Sequence, residues 1–326
     1  MELFSTILVY ILFALGFIFL IKGANFLVSG ASSIAKKYGI SDIVVGLTIV
    51  SFGTSAPELV VNVLASFRGN TDIAIGNVFG SNIANILLIL GVSAAIYPLT
   101  VQRNTLVAEI PYSIVAITLV GFLANSRFFF FERENPELSR IDGIILLVFF
   151  VLFMTYIFWL TKQGKKLTEE EKIQTMPIGK AVFFVIIGIF GLFLGGNWVV
   201  DGAVKIAQML GMSESLIGLT VVAVGTSLPE LVTSAVAAYR KNSDIAVGNV
   251  VGSNIFNVFW ILGVSAVINP LPFNIGNNFD AFVIILSSLL LLVVVLFNKK
   301  MLVNRLGGVV FLIAYFSYTY YLVMRG

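Results

Sequence analysis

Long stretches almost without charge are the feature that most limits how this chain can fold. Six such stretches occur, and a helix of about 20 apolar residues is long enough to cross a bilayer. Hydrophobic residues make up 58% of the chain and charged residues only 11%, against roughly 25% charged in an average soluble domain. The sequence therefore predicts an all-α polytopic membrane protein. The stretches are 4–21, 106–124, 144–160, 181–194, 282–297 and 309–323.

The residue types that the chain lacks exclude several function classes. It contains no Cys and no His, which removes disulfides, thiolate or imidazole metal sites, haem ligation and Cys or His catalysis. We therefore expect no cofactor and no enzymatic activity, although two buried acids could in principle act as an acid/base pair. The net charge of +3 comes from short loops, where membrane topology explains it, so no nucleic-acid partner is expected.

An internal repeat divides the chain into two homologous halves. Gly-Thr-Ser-Ala-Pro-Glu at 53–58 returns 172 residues later as Gly-Thr-Ser-Leu-Pro-Glu at 225–230. The same offset carries Gly-Asn-Val-Phe-Gly-Ser-Asn-Ile-Ala-Asn at 76–85 onto 248–257. Between 46 and 99, roughly 34 of 54 aligned positions are identical without a gap, more than shared hydrophobicity alone would produce.

Each half is predicted to contain five membrane spans. Because five is odd, the second half enters the membrane from the opposite side, and the two repeats have inverted topology. We expect ten transmembrane helices, with helices 2, 3, 7 and 8 broken at the repeated motifs. The predicted organisation is a first repeat at 1–161, a polar linker at 162–178 and a second repeat at 179–326.

The distribution of basic residues predicts the orientation. Alternate loops carry roughly 13 Lys and Arg on one side and 6 on the other. The positive-inside rule then places the linker in the cytoplasm and both termini outside, in a multi-pass protein of the cell membrane whose surroundings are the lipid bilayer. The first apolar stretch is not expected to be a cleaved signal, because Glu2 is acidic and no basic segment precedes it.

Two acids in the middle of predicted spans mark a candidate ion path. Glu58 and Glu230 are costly in a bilayer, and such acids usually face a cavity. Pro57 and Pro229 lack a backbone N–H and should break their helices. The break is expected to free carbonyls of the preceding turn, at 51–53 and 223–225, so that hydroxyl, carboxylate and main-chain oxygens become available to a hard cation.

The second motif adds more oxygen atoms. Ser81 and Ser253 lie inside spans 3 and 8, and Asn85 and Asn257 follow four residues later, on the same helical face. If the four broken helices meet, the centre holds Glu, Asn, Thr and Ser from both halves. This all-oxygen set suits Na⁺, Ca²⁺ or Mg²⁺ rather than soft metals.

Structural interpretations compete with these functional ones. Ser55 with Glu58, and Ser227 with Glu230, match a helix capping box. The motif glycines also fit close helix packing. Three charged residues without an equivalent in the other half, or near span ends, are expected at the surface or snorkelling; they are Glu109, Asp201 and Lys205. Asn77 and Asn249 fit a ligand shell and an interhelical hydrogen bond equally well.

The two duplicated motifs resemble those of the calcium/cation antiporter superfamily, in particular its prokaryotic sodium/calcium exchanger branch. This resemblance implies four ion sites at the membrane centre, with Asn85 and Asn257 flanking the middle one. It implies a Ca²⁺ site formed by Glu58, Glu230, Thr54 and Thr226. The implied Na⁺ ligands are Ser51, Thr54, Ser55, Glu58, Ser81, Ala223, Thr226, Ser227, Glu230 and Ser253.

The resemblance also implies a transport mode. Relatives that move K⁺ usually carry Asp where Asn257 stands, and proton-coupled relatives tend to lack the Gly-Thr-Ser hydroxyls. We therefore expect Na⁺ to be exchanged for Ca²⁺ by alternating access in a monomer, independently of K⁺. K⁺-dependent exchange, H⁺-coupled Ca²⁺ or Mg²⁺ antiport and an ion channel stay open as alternatives. Spans 1 and 6 are the expected sliding pair, marked by Gly23, Gly30, Gly195 and Gly202.

Overall fold

The chain forms twelve helical elements in the described part of a computed structural model, which comprises residues 2–69, 72–130, 136–162, 176–211, 223–298 and 300–325. The first half contains α1 (Glu2–Tyr38), α2 (Asp42–Thr54), α3 (Ala56–Phe67), α4 (Asp72–Ile83 continued by Leu90–Ile96), α5 (Ile110–Phe130) and α6 (Arg140–Lys162). The second half contains α7 (Ile178–Met209), α8 (Ala223–Thr226), α9 (Leu228–Tyr239), α10 (Ser243–Ile268), α11 (Ile275–Leu296) and α12 (Arg305–Arg325).

Eight of these helices are long and apolar enough to cross a membrane, and the bent pair α2 and α3 makes a ninth span among the described residues. The helices α8 and α9 stand where the tenth is expected, although residues 212–222, which precede them, are outside the described part. The apolar helices confirm the prediction of an all-α polytopic membrane protein. Apolar side chains cover much of the outside, as lipid contact requires.

The repeated Ser-x-Pro-Glu motif bends its helices as predicted. Between α2 and α3 the helix axis turns by 47° at Ser55, and Pro57 occupies the first turn of α3. The same arrangement recurs at Ser227, between α8 and α9, with Pro229 in the first turn. Proline is accepted there because the first turn of a helix has no internal partner for its N–H groups.

The irregularity in spans 3 and 8 differs from the expected break. In α4 a π-helical segment, Ala84–Ile89, separates two α-helical parts, and in α10 the equivalent segment is Phe256–Leu262. Helix continues on both sides of each segment. A π-helical turn widens the spiral by one residue, so Asn85 and Asn257 are redirected without interrupting the span.

Close packing of α1 against α7 follows from their glycines. A Cβ atom placed on Gly23 would lie 2.8 Å from the Leu192 nitrogen, and one on Gly195 would lie 2.7 Å from the Gly16 oxygen. Backbones therefore touch along much of these two long helices. Small residues at crossing points are the usual means of bringing helices together in lipid. The predicted pair exists as a packed unit.

Two short antiparallel ladders connect the halves outside the helices. Strand β1 (Leu99–Thr100) pairs with β4 (Leu302–Val303), and β2 (Glu137–Leu138) pairs with β3 (Leu271–Pro272). Each ladder joins a loop of the first half to a loop of the second. The first ladder ties the ends of α4 and α5 to those of α11 and α12, and the second ties the ends of α5 and α6 to those of α10 and α11. The core between them is formed mainly by α4 and α10.

Replacing Gly195 with Ala should destabilise the contact between α1 and α7, because the added methyl group would meet two backbone atoms below 3.0 Å. Overpacking of this kind costs about 1–3 kcal/mol. Thermal unfolding in detergent should show a lower Tm for Gly195→Ala. Gly179→Ala is the matched control on the same helix, since a methyl group there meets nothing within 4 Å. Equal Tm values for the two variants would contradict the packing argument.

Candidate functional site

Glu58 and Glu230 lie in the first turns of α3 and α9, and each side chain is only 1% exposed. The capping interpretation is wrong for both, because neither Ser55 nor Ser227 makes a side-chain capping hydrogen bond. Their hydroxyl groups turn instead toward the other half of the chain. Positive partial charge at the two helix N-termini still stabilises the carboxylates.

The serine hydroxyls form two contacts between the halves. Ser55 Oγ lies 2.9 Å from Glu230 Oε1 and 3.0 Å from Ser253 Oγ, so Ser55 can donate to the carboxylate while it accepts from Ser253. The equivalent pair is Ser227 and Ser81, whose Oγ atoms are 3.1 Å apart. Each motif of the first half therefore meets the complementary motif of the second, as predicted.

Four asparagines lock the orientation of the central amides. Asn85 Nδ2 donates to Asn254 Oδ1 at 2.9 Å, and Asn257 Nδ2 donates to Asn82 Oδ1 at 3.0 Å. Asn82 and Asn254 also donate to each other's backbone oxygens at 3.3 and 3.4 Å. With both nitrogens engaged, the Oδ1 atoms of Asn85 and Asn257 are left as acceptors without a donor among the described residues.

Asn82 and Asn254 are the residues that sequence reasoning missed. They belong to the quoted Gly-Ser-Asn motif, and they are at most 3% exposed. Their duplication three residues before Asn85 and Asn257 was the available signal, because i and i+3 positions share a helical face.

The threonines are held by a second pair of asparagines. Thr54 Oγ1 donates to Asn249 Oδ1 at 3.0 Å, and Thr226 Oγ1 donates to Asn77 Oδ1 at 3.3 Å. Asn249 in turn donates to Ser234 Oγ at 2.9 Å. For Asn77 and Asn249 the structure thus has the interhelical hydrogen bond, and these bonds fix the turns that carry Thr54 and Thr226.

The carbonyl of Ser51 is engaged rather than freed. It accepts the Ser55 amide at 2.9 Å, and Thr54 Oγ1, whose proton goes to Asn249, lies 3.3 Å from it. The expectation that the proline frees this carbonyl is wrong for this structure, since a missing N–H at Pro57 affects the carbonyl four residues earlier, at Gly53. Ala223 begins α8 at the equivalent place in the second half.

Five buried acceptor oxygens of the predicted site residues have no described donor. They are both carboxylate oxygens of Glu58, Glu230 Oε2, Asn85 Oδ1 and Asn257 Oδ1. Buried polar atoms are almost always hydrogen-bonded, and an ionised carboxylate left alone in a dry site is costly. Buried oxygen acceptors without donors are suited to a hard cation, which prefers oxygen ligands.

Glu109 lies apart from this centre, and its expected surface position is wrong. It is 1% exposed, and Tyr156 donates to its Oε1 at 2.6 Å. It borders a cavity of about 320 Å³ whose walls include Tyr112 and Phe153. Asp201 and Lys205 are exposed, as expected.

Comparison with known proteins identifies a family. The family described as sodium/calcium exchanger protein matches residues 8–159 and 180–324. This chain belongs to that family. A relative from Alkalimonas amylolytica, a putative antiporter called CaxA, is 37% identical over 94% of this chain and 96% of its own length. The sodium/calcium exchanger MaX1 of Methanosarcina acetivorans is 33% identical over 80% of this chain and 83% of its own.

A solved exchanger structure has the same fold. The sodium-calcium exchanger NCX_Mj, in a structure soaked with Na⁺ and Sr²⁺, superposes with a TM-score of 0.79 at 36% identity, covering 95% of this chain and 97% of that one. The family member described here is thus a ten-helix membrane exchanger built from two repeats.

Removing the amide of Asn254 should weaken cation binding without touching a candidate ligand. In Asn254→Ala, Asn85 loses the acceptor that orients it, and the net loss of about one hydrogen bond corresponds to roughly tenfold in affinity. The rise in Tm on addition of CaCl₂ or NaCl to the purified protein measures this, because a ligand that binds only the folded state raises Tm.

Ser265→Ala is the control for this experiment. Ser265 is fully buried on the same helix, and its hydroxyl has no described partner, so the ion-induced rise in Tm should be retained. If the Tm of the Asn254→Ala protein depended on ion concentration in the same way as that of the unmodified chain, Asn85 would need no orientation from the other half.

Proposed function

We propose that the protein exchanges Na⁺ for Ca²⁺ across the membrane by alternating access. The observation that carries the proposal is the set of five donor-free oxygens contributed by Glu58, Glu230, Asn85 and Asn257. Membership of the sodium/calcium exchanger family and the likeness to NCX_Mj support it. Two carboxylates supply a formal charge of −2, which one Ca²⁺ neutralises and which two or three Na⁺ would share.

We assign the ligands as follows. Ca²⁺ is bound by the carboxylates of Glu58 and Glu230 and by the main-chain oxygens of Thr54 and Thr226. Asn85 and Asn257 flank the middle position with their free Oδ1 atoms. The ligands proposed for Na⁺ are Glu58, Glu230, Ser55, Ser227, Ser81, Ser253, Thr54, Thr226 and the carbonyls of Ser51 and Ala223. For the Ser51 carbonyl, ligation uses the lone pair that the Ser55 amide leaves free.

Coupling follows from competition for the same acceptors. Na⁺ and Ca²⁺ both need Glu58 and Glu230, so they cannot occupy the centre together. The two ions then cross in opposite directions on one site that is exposed to each side in turn, and the exchange moves net charge when three Na⁺ cross for each Ca²⁺. Spans 1 and 6, here α1 and α7, are the pair that slides against the fixed core, in a monomer.

The topology and division of the chain form part of the proposal. Residues 1–161 and 179–326 are the inverted repeats, and 162–178 is a cytoplasmic linker. Both termini are then outside the cell, and Ca²⁺ leaves the cytoplasm as Na⁺ enters. The excess of basic residues on the linker side supports this orientation.

Uptake of ⁴⁵Ca²⁺ into Na⁺-loaded vesicles tests the exchange. We expect gradient-driven uptake by the unmodified chain and a loss of about 100-fold in Glu58→Gln and in Glu230→Gln, because each removes a buried charge that the cation must offset, worth about 3 kcal/mol or more. Glu109→Gln makes the same chemical change at another buried acid and should retain exchange. Uptake that ignores the Na⁺ gradient but responds to a pH gradient would favour the H⁺-coupled alternative.

The same vesicles test the expected independence from K⁺. Asn257 is uncharged, and its nitrogen is bound to Asn82, so the centre lacks the third carboxylate found in relatives that transport K⁺. Replacing K⁺ with choline on both sides should leave the initial rate unchanged, whereas Asn257→Asp should make the rate respond to K⁺. A rate in the unmodified chain that falls when K⁺ is removed would overturn this assignment.

A further inference from the structure

An arginine at the end of α9 holds that helix to α1. The Arg240 guanidinium donates to Ser29 Oγ through Nη1 at 2.6 Å and to Asn25 Oδ1 through Nη2. Asn25 and Ser29 are four residues apart and therefore share one face of α1. Both are partly buried under this contact, and α9 packs along α1.

The next residues of the same loop add a second contact. Asn242 Nδ2 donates to Asp42 Oδ2 at 2.7 Å and lies 3.5 Å from Ser32 Oγ. The loop between α9 and α10 thus clasps α1 and the start of α2. On the linker side of the membrane these contacts hold α9 and its following loop against α1.

The opposite side of the molecule is open at the equivalent place. A cavity of about 300 Å³ separates α3 from α7 and reaches Thr226, a residue of the candidate site. Its walls include Val61 of α3 and Asn197 and Asp201 of α7. Asn197 and Asp201 are exposed, whereas their counterparts in the first half are partly buried.

The repeat offset of 172 residues pairs each residue of this linker-side contact with a residue on the opposite side. It carries Asn25 onto Asn197, Ser29 onto Asp201 and Arg68 onto Arg240. Arg68 follows α3 as Arg240 follows α9. Arg68 is exposed, and its guanidinium has no hydrogen-bond or ion-pair partner within the described part of the chain. We call the contact of Arg240 with Asn25 and Ser29 the linker-side clasp. The equivalent residues Arg68, Asn197 and Asp201 are all present on the opposite side, but Arg68 makes no hydrogen bond or ion pair with the other two.

We propose that Arg68, Asn197 and Asp201 form the clasp that closes the terminal side of the molecule when the linker side opens. The inference rests on alternating access as proposed above. In an inverted repeat, each half adopts in one state the conformation that the other half has in the opposite state. Arg68 then donates to Asn197 and Asp201 across the collapsed cavity, while Arg240 releases Asn25 and Ser29.

The two clasps are chemically unequal. Arg240 meets a serine hydroxyl, but Arg68 meets a carboxylate, and Arg binds carboxylates through charge-assisted, often bidentate bonds. The arginine contact of the terminal side is therefore the stronger of the two arginine contacts. Asp201 also leaves a negative charge in the cavity whenever that side is open, where it attracts cations toward Thr226. These three are positioning residues rather than ion ligands.

Cysteine labelling can measure this closure, since the chain contains no Cys of its own. Val61→Cys reports on the cavity, because Val61 is 38% exposed and lines it. The rate of its reaction with a hydrophilic maleimide is measured in purified, folded protein. Arg240→Gln removes the linker-side clasp and should slow this reaction about threefold, as the cavity closes more often.

Removing the second clasp should reverse that effect. In the Arg240→Gln background, Arg68→Gln or Asp201→Asn should return the labelling rate to that of Val61→Cys alone. The charge-reversed pair Arg68→Asp with Asp201→Arg should keep labelling slow. Lys205→Gln, which removes a charge one turn beyond Asp201 on the same helix, should also keep it slow.

Two results would overturn the proposal. One is labelling that Arg240→Gln does not slow; the other is slow labelling that persists after Arg68→Gln and Asp201→Asn. Partial unfolding would make the Val61→Cys protein react faster in every variant and is thereby recognised. Failure of exchange itself is seen separately, as absent Na⁺-driven ⁴⁵Ca²⁺ uptake by the unmodified chain.

Discussion

Two buried carboxylates at the centre of an apolar protein, with three of their four oxygens lacking a described donor, are the constraint on which the rest of the structure depends. Glu58 and Glu230 are only 1% exposed, and the free-energy cost of burying their charge is offset only where positive charge can reach them. The surrounding elements serve this condition. Helix N-termini point at both acids, hydroxyl groups border them, and the neighbouring amides present oxygen rather than nitrogen. Without a bound cation these carboxylates would destabilise the protein, and they are therefore suited to binding a cation reversibly.

Much of this could be predicted from the sequence, because duplication and buried charge are visible without coordinates. The shared motifs brought Glu58, Ser81 and Asn85 together with their counterparts, and the bend at Ser55 followed from the proline two residues later. What the sequence could not reveal depends on hydrogen-bond direction. The sequence does not reveal that Asn254 orients the side-chain amide of Asn85, because that hydrogen bond joins residues 169 positions apart.

Two of the incorrect expectations have related causes. The capping-box pattern of Ser55 and Glu58 describes a helix start in water, where a serine has few other partners; here Glu230 and Ser253 offer better ones. Glu109 was expected near the surface because it lies close to the end of a span. It is buried beside Tyr156 of a neighbouring helix, which donates a hydrogen bond to it. The local sequence pattern does not predict this contact. In both cases tertiary contacts outweigh the local preference.

The reciprocal asparagine bonds have a consequence for how such a chain could arise. Asn82 corresponds to Asn254, and Asn85 to Asn257. The two hydrogen bonds across the centre are therefore equivalent, with the roles of the two halves exchanged. A single five-helix ancestor that inserted in both orientations would have formed both bonds on pairing with its inverted copy, with no new residue required. Gene fusion could therefore join two such subunits without disturbing the site. The duplicated motifs, which supply both the buried acids and the amides, are the parts that the two halves still share most closely.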